Sequence, residues 1–575
     1  MSNYAKNLAS INNSRVTHQT QAIPGREAEM AQNNAGGFAF TLDPMAVLDR
    51  FLILGSEGGT YYASEQKLTK DNVKNVQALI KTDGLKVVER VVEVSDSGRA
   101  PKNDPALFVL ALCSAADDAA TRKAALDALP KVARIGTHLF HYASFVEGFR
   151  GWGRSLRRAI ADWYLEMPVD RLALQAIKYQ QRDGWGHRDL LRLSHPHTND
   201  ASRDAVLRWI VGGMDEVSAT ERTFVRGGNK VTEARQSRLD NLPAQIAAFE
   251  QAKRANTVEE IVKLVRDYDL PRECVPTQYL NDVRVWEALL EKMPMTAMIR
   301  NLATMTRVGL LAPFSEATKK VIAQLGNAEA LKRARVHPIQ MLSAHITYGR
   351  GYGARGQNNW TPVNQIVDAL DSGFYTCFGN VKPTNKNILL ALDVSGSMTG
   401  GEIAGVPGLN PRQASAAMAL VTMNVEPNYE IIGFTNSGWS ASNLGGDRRW
   451  GRSSGIQNVN ISPKMRLNDV INTINRLQFG GTDCALPFLY ADAHNRNIDA
   501  VITYTDNETY YGDIHPTQAK AKLQNKLGHP VKNIVVGMTA TNFTIADPKD
   551  PHALDIVGFD AAAPEVMSNF IQGKF

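Results

Sequence analysis

The sequence predicts a mainly α protein in two parts, an α-solenoid of helical repeats followed by a doubly wound α/β domain. Two observations carry this. From about Asp43 to Gly373 apolar residues recur with helical spacing and little β-like alternation, and after Pro383-Thr384-Asn385 the pattern changes to alternating strands and helices. In the first part, helices are expected over 106–113, 119–128, 156–165, 257–265, 283–290, 302–308 and 363–370. Helices succeeding one another with short links bury their apolar faces against their neighbours, as in a solenoid, although no fixed period is visible. In the second part, strands are expected at 387–393, 430–434, 499–506 and 533–538, and helices at 411–425, 467–477, 516–527 and 564–571. That alternation describes a sheet covered by helices, about 190 residues in all. The domain limits that follow are a flexible, Asn/Gln-rich arm over 1–40, a helical-repeat part over 41–380 and an α/β domain over 381–575.

Composition narrows the function classes. The chain has 575 residues, 43% of them hydrophobic, enough for several cores. Met1-Ser2-Asn3-Tyr4-Ala5-Lys6 opens no apolar leader, and no run approaches the ~18–20 apolar residues of a membrane span, so a cytoplasmic protein without membrane contact is expected. The four cysteines, Cys113, Cys274, Cys377 and Cys484, lack paired spacing, which suggests reduced thiols and argues against a structural zinc. The net charge of +6 is modest for this length and says little by itself about nucleic acid.

The most specific motif is Asp393-Val394-Ser395-Gly396-Ser397-Met398, directly after the apolar run 387–392. A strand that delivers an aspartate and two hydroxyls to its carboxyl end puts oxygen donors where open α/β sheets bind ligands. Mg²⁺ takes oxygen ligands in octahedral geometry, so one carboxylate and two hydroxyls form an incomplete site that needs partners. Thr482, in Gly480-Gly481-Thr482-Asp483, and Asp506, after the alternating strand that ends at Thr505, can supply them. Asp393, Ser395, Ser397, Thr482 and Asp506, in the order D-x-S-G-S, T, D, resemble the metal-ion-dependent adhesion site of von Willebrand factor A domains, which implies Mg²⁺ or another divalent cation. Serine- and glycine-rich turns after strands are common, and it is the three pieces in order that favour a metal.

A second signal is basic. Between Arg150 and His195 there are nine lysines and arginines against five acidic residues. At 100° per residue Arg171, Gln175, Lys178 and Arg182 fall on one helix face opposite Leu172, Ala173, Ala176 and Ile177, while Arg154 pairs with Arg158 and Arg188 with Arg192 on adjacent helices. Stacked helices can merge such rows into a surface that follows a phosphate backbone. The bland alternative is a solvated face with internal pairs such as Arg158 with Asp162. Tyr179, Trp185 and His187 add rings suited to stacking on unpaired bases, though a lone Trp more often packs.

Both halves together resemble the Ro autoantigen family. Leu54-Gly55-Ser56-Glu57-Gly58-Gly59-Thr60-Tyr61-Tyr62, Arg134-Ile135-Gly136-Thr137-His138-Leu139-Phe140, Trp152-Gly153-Arg154, Ala159-Ile160-Ala161-Asp162-Trp163-Tyr164 and His187-Arg188-Asp189-Leu190-Leu191-Arg192-Leu193-Ser194-His195 look like its TROVE module. Gly480-Gly481-Thr482-Asp483-Cys484, Thr505-Asp506-Asn507-Glu508-Thr509 and Phe543-Thr544-Ile545-Ala546-Asp547-Pro548 look like its A domain. The compact Gly- and Asn-rich insertions fit a bacterial or phage-borne member. The resemblance implies a monomeric ring of HEAT-like repeats closed by the A domain. It implies Y-type small noncoding RNA on the outer basic surface, single-stranded 3′ ends of misfolded RNA in a central hole, and polynucleotide phosphorylase as a partner tethered through the RNA. It assigns RNA contacts to Lys178, Arg182, His187 and Arg192, and extends them to Arg134, Arg154, Arg157, Arg158 and Arg188. The stretches 399–409 and 437–455 lie at the metal rim and leave the cation's external ligand open.

Three readings therefore stand: a non-enzymatic RNA-binding scaffold in noncoding-RNA quality control, a metal-dependent protein-binding module without RNA, and a metal-dependent phosphoryl hydrolase. The second lacks a secretory signal and leaves the basic helices unexplained. The third needs a base near the metal, for which Asp483 and Glu508 qualify by position alone, and no phosphate loop of the G-x-x-x-x-G-K type is present.

Overall fold

The structure, a computed structural model, describes residues 16–57, 59–61, 63–226, 229–353, 358–379, 381–403, 409–436, 455–477 and 480–574. The first 15 residues of the expected arm, residues 404–408 and residues 437–454 of the two rim stretches lie outside them.

The rest of the expected arm is not an arm. Strands β1 (Met30–Gln32) and β2 (Phe38–Thr41) form an antiparallel hairpin, with Ile23, Met30 and Phe40 buried in a small core of their own. Arg26 grips Asp547 through both terminal nitrogens at 2.8 and 2.7 Å. The low hydrophobicity that suggested disorder is offset by polar contacts to a distant part of the chain, which local composition does not record. Residues 16–41 thus form a strap.

The helical part begins with Pro44–Leu54, capped by Asp43, whose carboxylate accepts the Met45 amide at 2.9 Å. Glu65–Ser97 follows as two helices joined at Asp83, which is non-helical. Gly84 is needed there because a Cβ would lie 2.4 Å from the Thr121 hydroxyl. The expected helices of this part all form, within about three residues of their expected bounds except that the one over 302–308 starts seven residues earlier and the one over 363–370 ends six residues later: Asp104–Ser114, Ala119–Asp127, Arg154–Glu166, Val258–Tyr268, Val283–Lys292, Met295–Arg307 and Asn364–Thr376. Two short hairpins interrupt them, β3 (Gln181–Arg182) with β4 (Trp185–Gly186), and β5 (Glu221–Arg226) with β6 (Asn229–Ala234). Among the described residues no helix is long and apolar enough to cross a membrane.

The helical path returns to its own start. Arg335 pairs with Asp96 at 2.7 Å, the His337 ring contacts the Arg99 carbonyl at 2.9 Å and Gln340 donates to the Pro101 carbonyl at 3.0 Å. Helix Pro338–Arg350 therefore sits on the end of Glu65–Ser97 and closes the repeats into a ring.

The α/β domain carries a six-stranded sheet in the order β13-β11-β10-β7-β8-β9, with β7 Ile388–Asp393, β8 Tyr429–Phe434, β9 Ile456–Asn458, β10 Ala500–Thr505, β11 Lys532–Gly537 and β13 Ala553–Val557. All pairs are parallel except β8 with β9. β7 and β10 are buried along their whole length, as expected of central parallel strands covered on both faces. The short β12 (Phe543–Thr544) pairs with β2, adding the strap to this domain.

Two sets of contacts fix the domain to the ring. Arg50, wholly buried in Pro44–Leu54, donates to the Thr541 and Phe543 carbonyls at 3.1 and 3.0 Å and to Asp555 at 2.5 Å. Gly537 makes room for it, since a Cβ there would lie 2.7 Å from the guanidinium. On another side, Asp371 accepts the Leu467 amide at 2.9 Å and Arg466 pairs with Asp368 at 2.6 Å.

Removing one member of a buried ion pair leaves the other uncompensated, at a cost of about 3–5 kcal/mol. Arg50→Met should therefore lower the melting temperature markedly, and adding Asp555→Leu should restore most of the loss. A single variant that melts like the parent in calorimetry would show that Arg50 does not hold the junction.

Candidate metal centre and basic surface

The strand-end motif assembles as the spacing suggests. Asp393, at the end of β7, accepts the Ser395 amide at 2.9 Å through Oδ1 and the Thr505 hydroxyl at 2.7 Å through Oδ2. Ser395 and Ser397 hydroxyls lie 3.0 Å apart. The Gly396 amide donates to the Gly480 carbonyl at 3.0 Å, which draws the loop carrying Thr482 against this turn. Only glycine fits at 480, because a Cβ would meet the Asn436 side-chain oxygen at 2.3 Å. Asp506, one residue beyond β10, accepts the Glu508 amide at 3.1 Å and hydrogen-bonds Ser397.

Three features suit this cluster to a cation. Asp393, Ser395, Ser397, Thr482 and Asp506 are all at least 97% buried. Among the described residues the Thr482 hydroxyl oxygen has no hydrogen-bond partner, which is costly for a buried polar atom. Neither carboxylate has an ion-pair partner among the described residues. The buried Arg412 attracts Asp393, but its guanidinium donates to the Leu477 carbonyl at 2.5 Å. Burial raises the pKa of Asp393. It raises that of Asp506 further, with repulsion from Asp393 and Glu508 adding to the shift. A divalent ion among two carboxylates and three hydroxyls would relieve the repulsion and satisfy Thr482. The donor set fits Mg²⁺ better than a softer metal. Among the described residues no three His, Cys, Asp or Glu side chains converge to hold a metal, and the four cysteines are free. Burial pushes the Cys113, Cys274 and Cys377 thiols up to about 12.

The hydrolase roles considered for Asp483 and Glu508 find other occupations. Asp483 accepts from Gln19 at 2.8 Å and from the Ala485 amide at 3.0 Å. Glu508 accepts from Asn34 at 2.6 Å and from the Ala35 amide at 3.0 Å. Both carboxylates are turned to the strap.

The basic surface is partly as expected. Helix Arg154–Glu166 packs directly on His187–Ser194, and Arg154, Arg157, Arg158, Arg188 and Arg192 are exposed on the two. None of the five has a carboxylate or hydrogen-bond partner for its guanidinium among the described residues; Arg158 does not pair with Asp162. Arg182 is exposed but stands on the β3–β4 hairpin, 3.7 Å from Asp183, not on the helix Val169–Lys178. The expected row of Arg171, Gln175, Lys178 and Arg182 therefore breaks. Gln175 turns inward, 5% exposed, and accepts the Gly136 amide at 2.9 Å, satisfying the start of helix Gly136–Phe149. Lys178 is half-buried with its ammonium 5.3 Å from the Tyr179 ring centre. Arg134 is half-buried and donates to the Ser95 hydroxyl at 2.8 Å; burial and nearby Arg335 and Arg171 lower its pKa.

His187 is the clear departure. It is 3% exposed, its Nδ1 lies 2.8 Å from the Tyr164 hydroxyl, and its ring packs edge-on to Phe140 at 4.7 Å and alongside Trp163 at 6.2 Å. No RNA base can stack on it in this conformation. The sequence held the signal, because His187 shares a helix face with the apolar Leu190 and Leu191 three and four residues on, opposite Arg188 and Arg192. Trp185 packs on Trp152, with ring centres 5.3 Å apart.

Family models match both halves: the TROVE domain over residues 31–347 and the Ro60 vWA domain over 387–571. The chain belongs to the Ro family. A Deinococcus radiodurans relative named RNA-binding protein RO60 is 42% identical over 572 residues, covering 99% of this chain and all of that one. A relative of the same name from Caenorhabditis elegans is 35% identical over 621 residues, covering 97% and 92%. The crystal structure of the Deinococcus radiodurans RO (RSR) protein matches with a TM-score of 0.66, over 93% of this chain and all of that one. This establishes the TROVE ring and α/β A domain expected from the sequence.

Burial depresses the His187 pKa to about 4, partly offset by the Gln175 and Tyr179 backbones. Unfolded, the imidazole titrates near ~6.5, so as pH falls from there toward 4 unfolding takes up a proton that the folded ring refuses, and stability drops through that window. His187→Gln should flatten the fall of melting temperature with pH over this range. A parallel fall in parent and variant would show that His187 does not titrate as a buried group.

Proposed function

We propose that this Ro-family chain is a non-enzymatic RNA-binding scaffold. Its outer basic surface binds a small structured noncoding RNA of the Y type, and its ring takes single-stranded 3′ ends of misfolded RNA, in noncoding-RNA quality control in the cytoplasm. Through the bound RNA it associates, as a monomer, with an exoribonuclease of the polynucleotide phosphorylase kind. The observation that carries RNA binding is the set of five exposed arginines on two packed helices, none of them neutralised by a carboxylate among the described residues. Solvated faces usually carry interleaved acids, and a phosphate backbone supplies the missing charge. The names of the relatives support the same reading. His187 contributes here as a buried support for the helix that carries Arg188 and Arg192.

The A domain holds Mg²⁺ on Asp393, Ser395, Ser397, Thr482 and Asp506. Bound there, the ion would supply positive charge able to attract an external oxygen ligand. The chain's residues hold the carboxylates apart and ready: Thr505 and the Ser395 amide orient Asp393, and the Glu508 amide orients Asp506.

Each arginine that neutralises a phosphate contributes about −0.7 to −0.9 to the slope of log affinity against log salt. The triple variant Arg154→Ala, Arg157→Ala, Arg158→Ala should weaken binding of a hairpin-containing RNA and flatten that slope by about two to three units. Filter-binding titrations over a salt series read both, and an unchanged slope would reduce the surface to a solvated face. For the metal, Asp506→Asn should abolish Mg²⁺ uptake in calorimetry. It should raise the melting temperature without Mg²⁺, because a repelled buried charge is removed. Unaltered Mg²⁺ affinity would overturn the ligand assignment.

A further inference from the structure

The strap meets the A domain at the two loops that carry Thr482 and Asp506. Gln19 is wholly buried between them. Its oxygen accepts the Thr509 hydroxyl at 2.5 Å, and its nitrogen donates to Asp483 and to the Ile514 carbonyl, each at 2.8 Å. Thr509 in turn accepts the Cys484 amide at 3.1 Å, and the Tyr510 and Tyr511 amides donate to the Thr482 carbonyl at 3.1 and 3.0 Å. One side chain from the start of the chain thus completes a hydrogen-bond circuit between the residue after Thr482 and the residue three beyond Asp506. Asn33 adds a bond to the Thr509 carbonyl at 2.7 Å. The strap lies so close that a Cβ on Gly37 would fall 1.8 Å from the Thr509 carbonyl oxygen.

We propose that Gln19 is a positioning residue for the divalent cation, and that the strap sets the separation of the two loops whose Thr482 and Asp506 complete the site. This rests on the Mg²⁺ reading above. Groups behind the ligands of a metal fix their orientation, and their loss typically weakens metal affinity about 10- to 100-fold. Gln19 has the required place: it touches no ligand atom, yet it holds a neighbour of each loop ligand in a buried setting where no water replaces it. Asn34 and the Ala35 amide take up Glu508 in the same way, keeping that carboxylate out of the ion's coordination. By reciprocity, Mg²⁺ binding and docking of the strap would each strengthen the other.

The test is calorimetric titration of the full chain with magnesium chloride. Gln19→Ala should bind Mg²⁺ about 10- to 100-fold more weakly than the parent, with an unchanged far-UV spectrum and a smaller Mg²⁺-induced rise in melting temperature. Should Gln19→Ala fail to fold, Thr509→Val, which breaks the same bridge, is to be compared with Thr509→Ser, which keeps the hydroxyl and should keep the affinity. If the parent binds Mg²⁺, Asp506→Asn does not, and Gln19→Ala binds as the parent does, the positioning role falls while the metal site stands. If the parent itself takes up no Mg²⁺, both fall together.

Discussion

The buried guanidinium of Arg50 is the contact on which the two halves depend. It leaves the first helix of the ring, enters the A domain beside Gly537 and binds two carbonyls and Asp555. A charge taken out of water is costly unless it is paired, and the loop 541–543 and strand β13 meet both terminal nitrogens of this one, while its Nε has no partner among the described residues. That fixes the edge of the sheet against the helix. Arg99 with Asp560 at 2.6 Å, close to the ring closure at Asp96 and Pro101, repeats the device. The A domain is thus a structural member of the ring, and the strand ends bearing its metal motif inherit a fixed place relative to the helices.

The fold was legible because its signals are local. Strand β7 read as a continuous apolar run and β10 as an alternating one, and both are found at the expected positions, as is helix Pro411–Val425. The metal motif was legible for the same reason: each piece sits at a strand or loop end defined by its own neighbours. Features made by contacts across hundreds of residues were not legible. Residues 16–41 look disordered by composition and are ordered by Asp547, Asp483 and Glu508, all more than 450 positions away. Gln175 looks like a surface polar residue and is the acceptor for a helix start 39 residues earlier.

His187 shows where a local signal was present and outweighed. A ring suited to stacking beside arginines, and the family resemblance, suggested an RNA contact, while the helical phase with Leu190 and Leu191 said interior. The phase was right, because burying the ring lets Tyr164, Phe140 and Trp163 pack around it under a helix start that has only glycine at Gly136, where a Cβ would lie 2.9 Å from the ring. Arg188 and Arg192 project to solvent because the face bearing His187 does not. An interior histidine and an exterior arginine pair are two consequences of one helix register.

The same division runs through the A domain. Asp393, Ser395, Ser397, Thr482 and Asp506 are buried at neighbouring strand and loop ends, and among the described residues neither carboxylate has an ion-pair partner and the Thr482 hydroxyl has no hydrogen bond, an arrangement that apolar packing does not reward and that the proposed cation would relieve. The groups around them are satisfied: Thr505, Thr509, Asp483 and Glu508 all have partners, several from the strap. Donors held in position by partnered neighbours are what the proposed cation site requires, since an ion would then meet them already oriented. In the proposal above the strap belongs to that preorganisation, and its polar side chains are held by Asp483, Glu508 and Asp547.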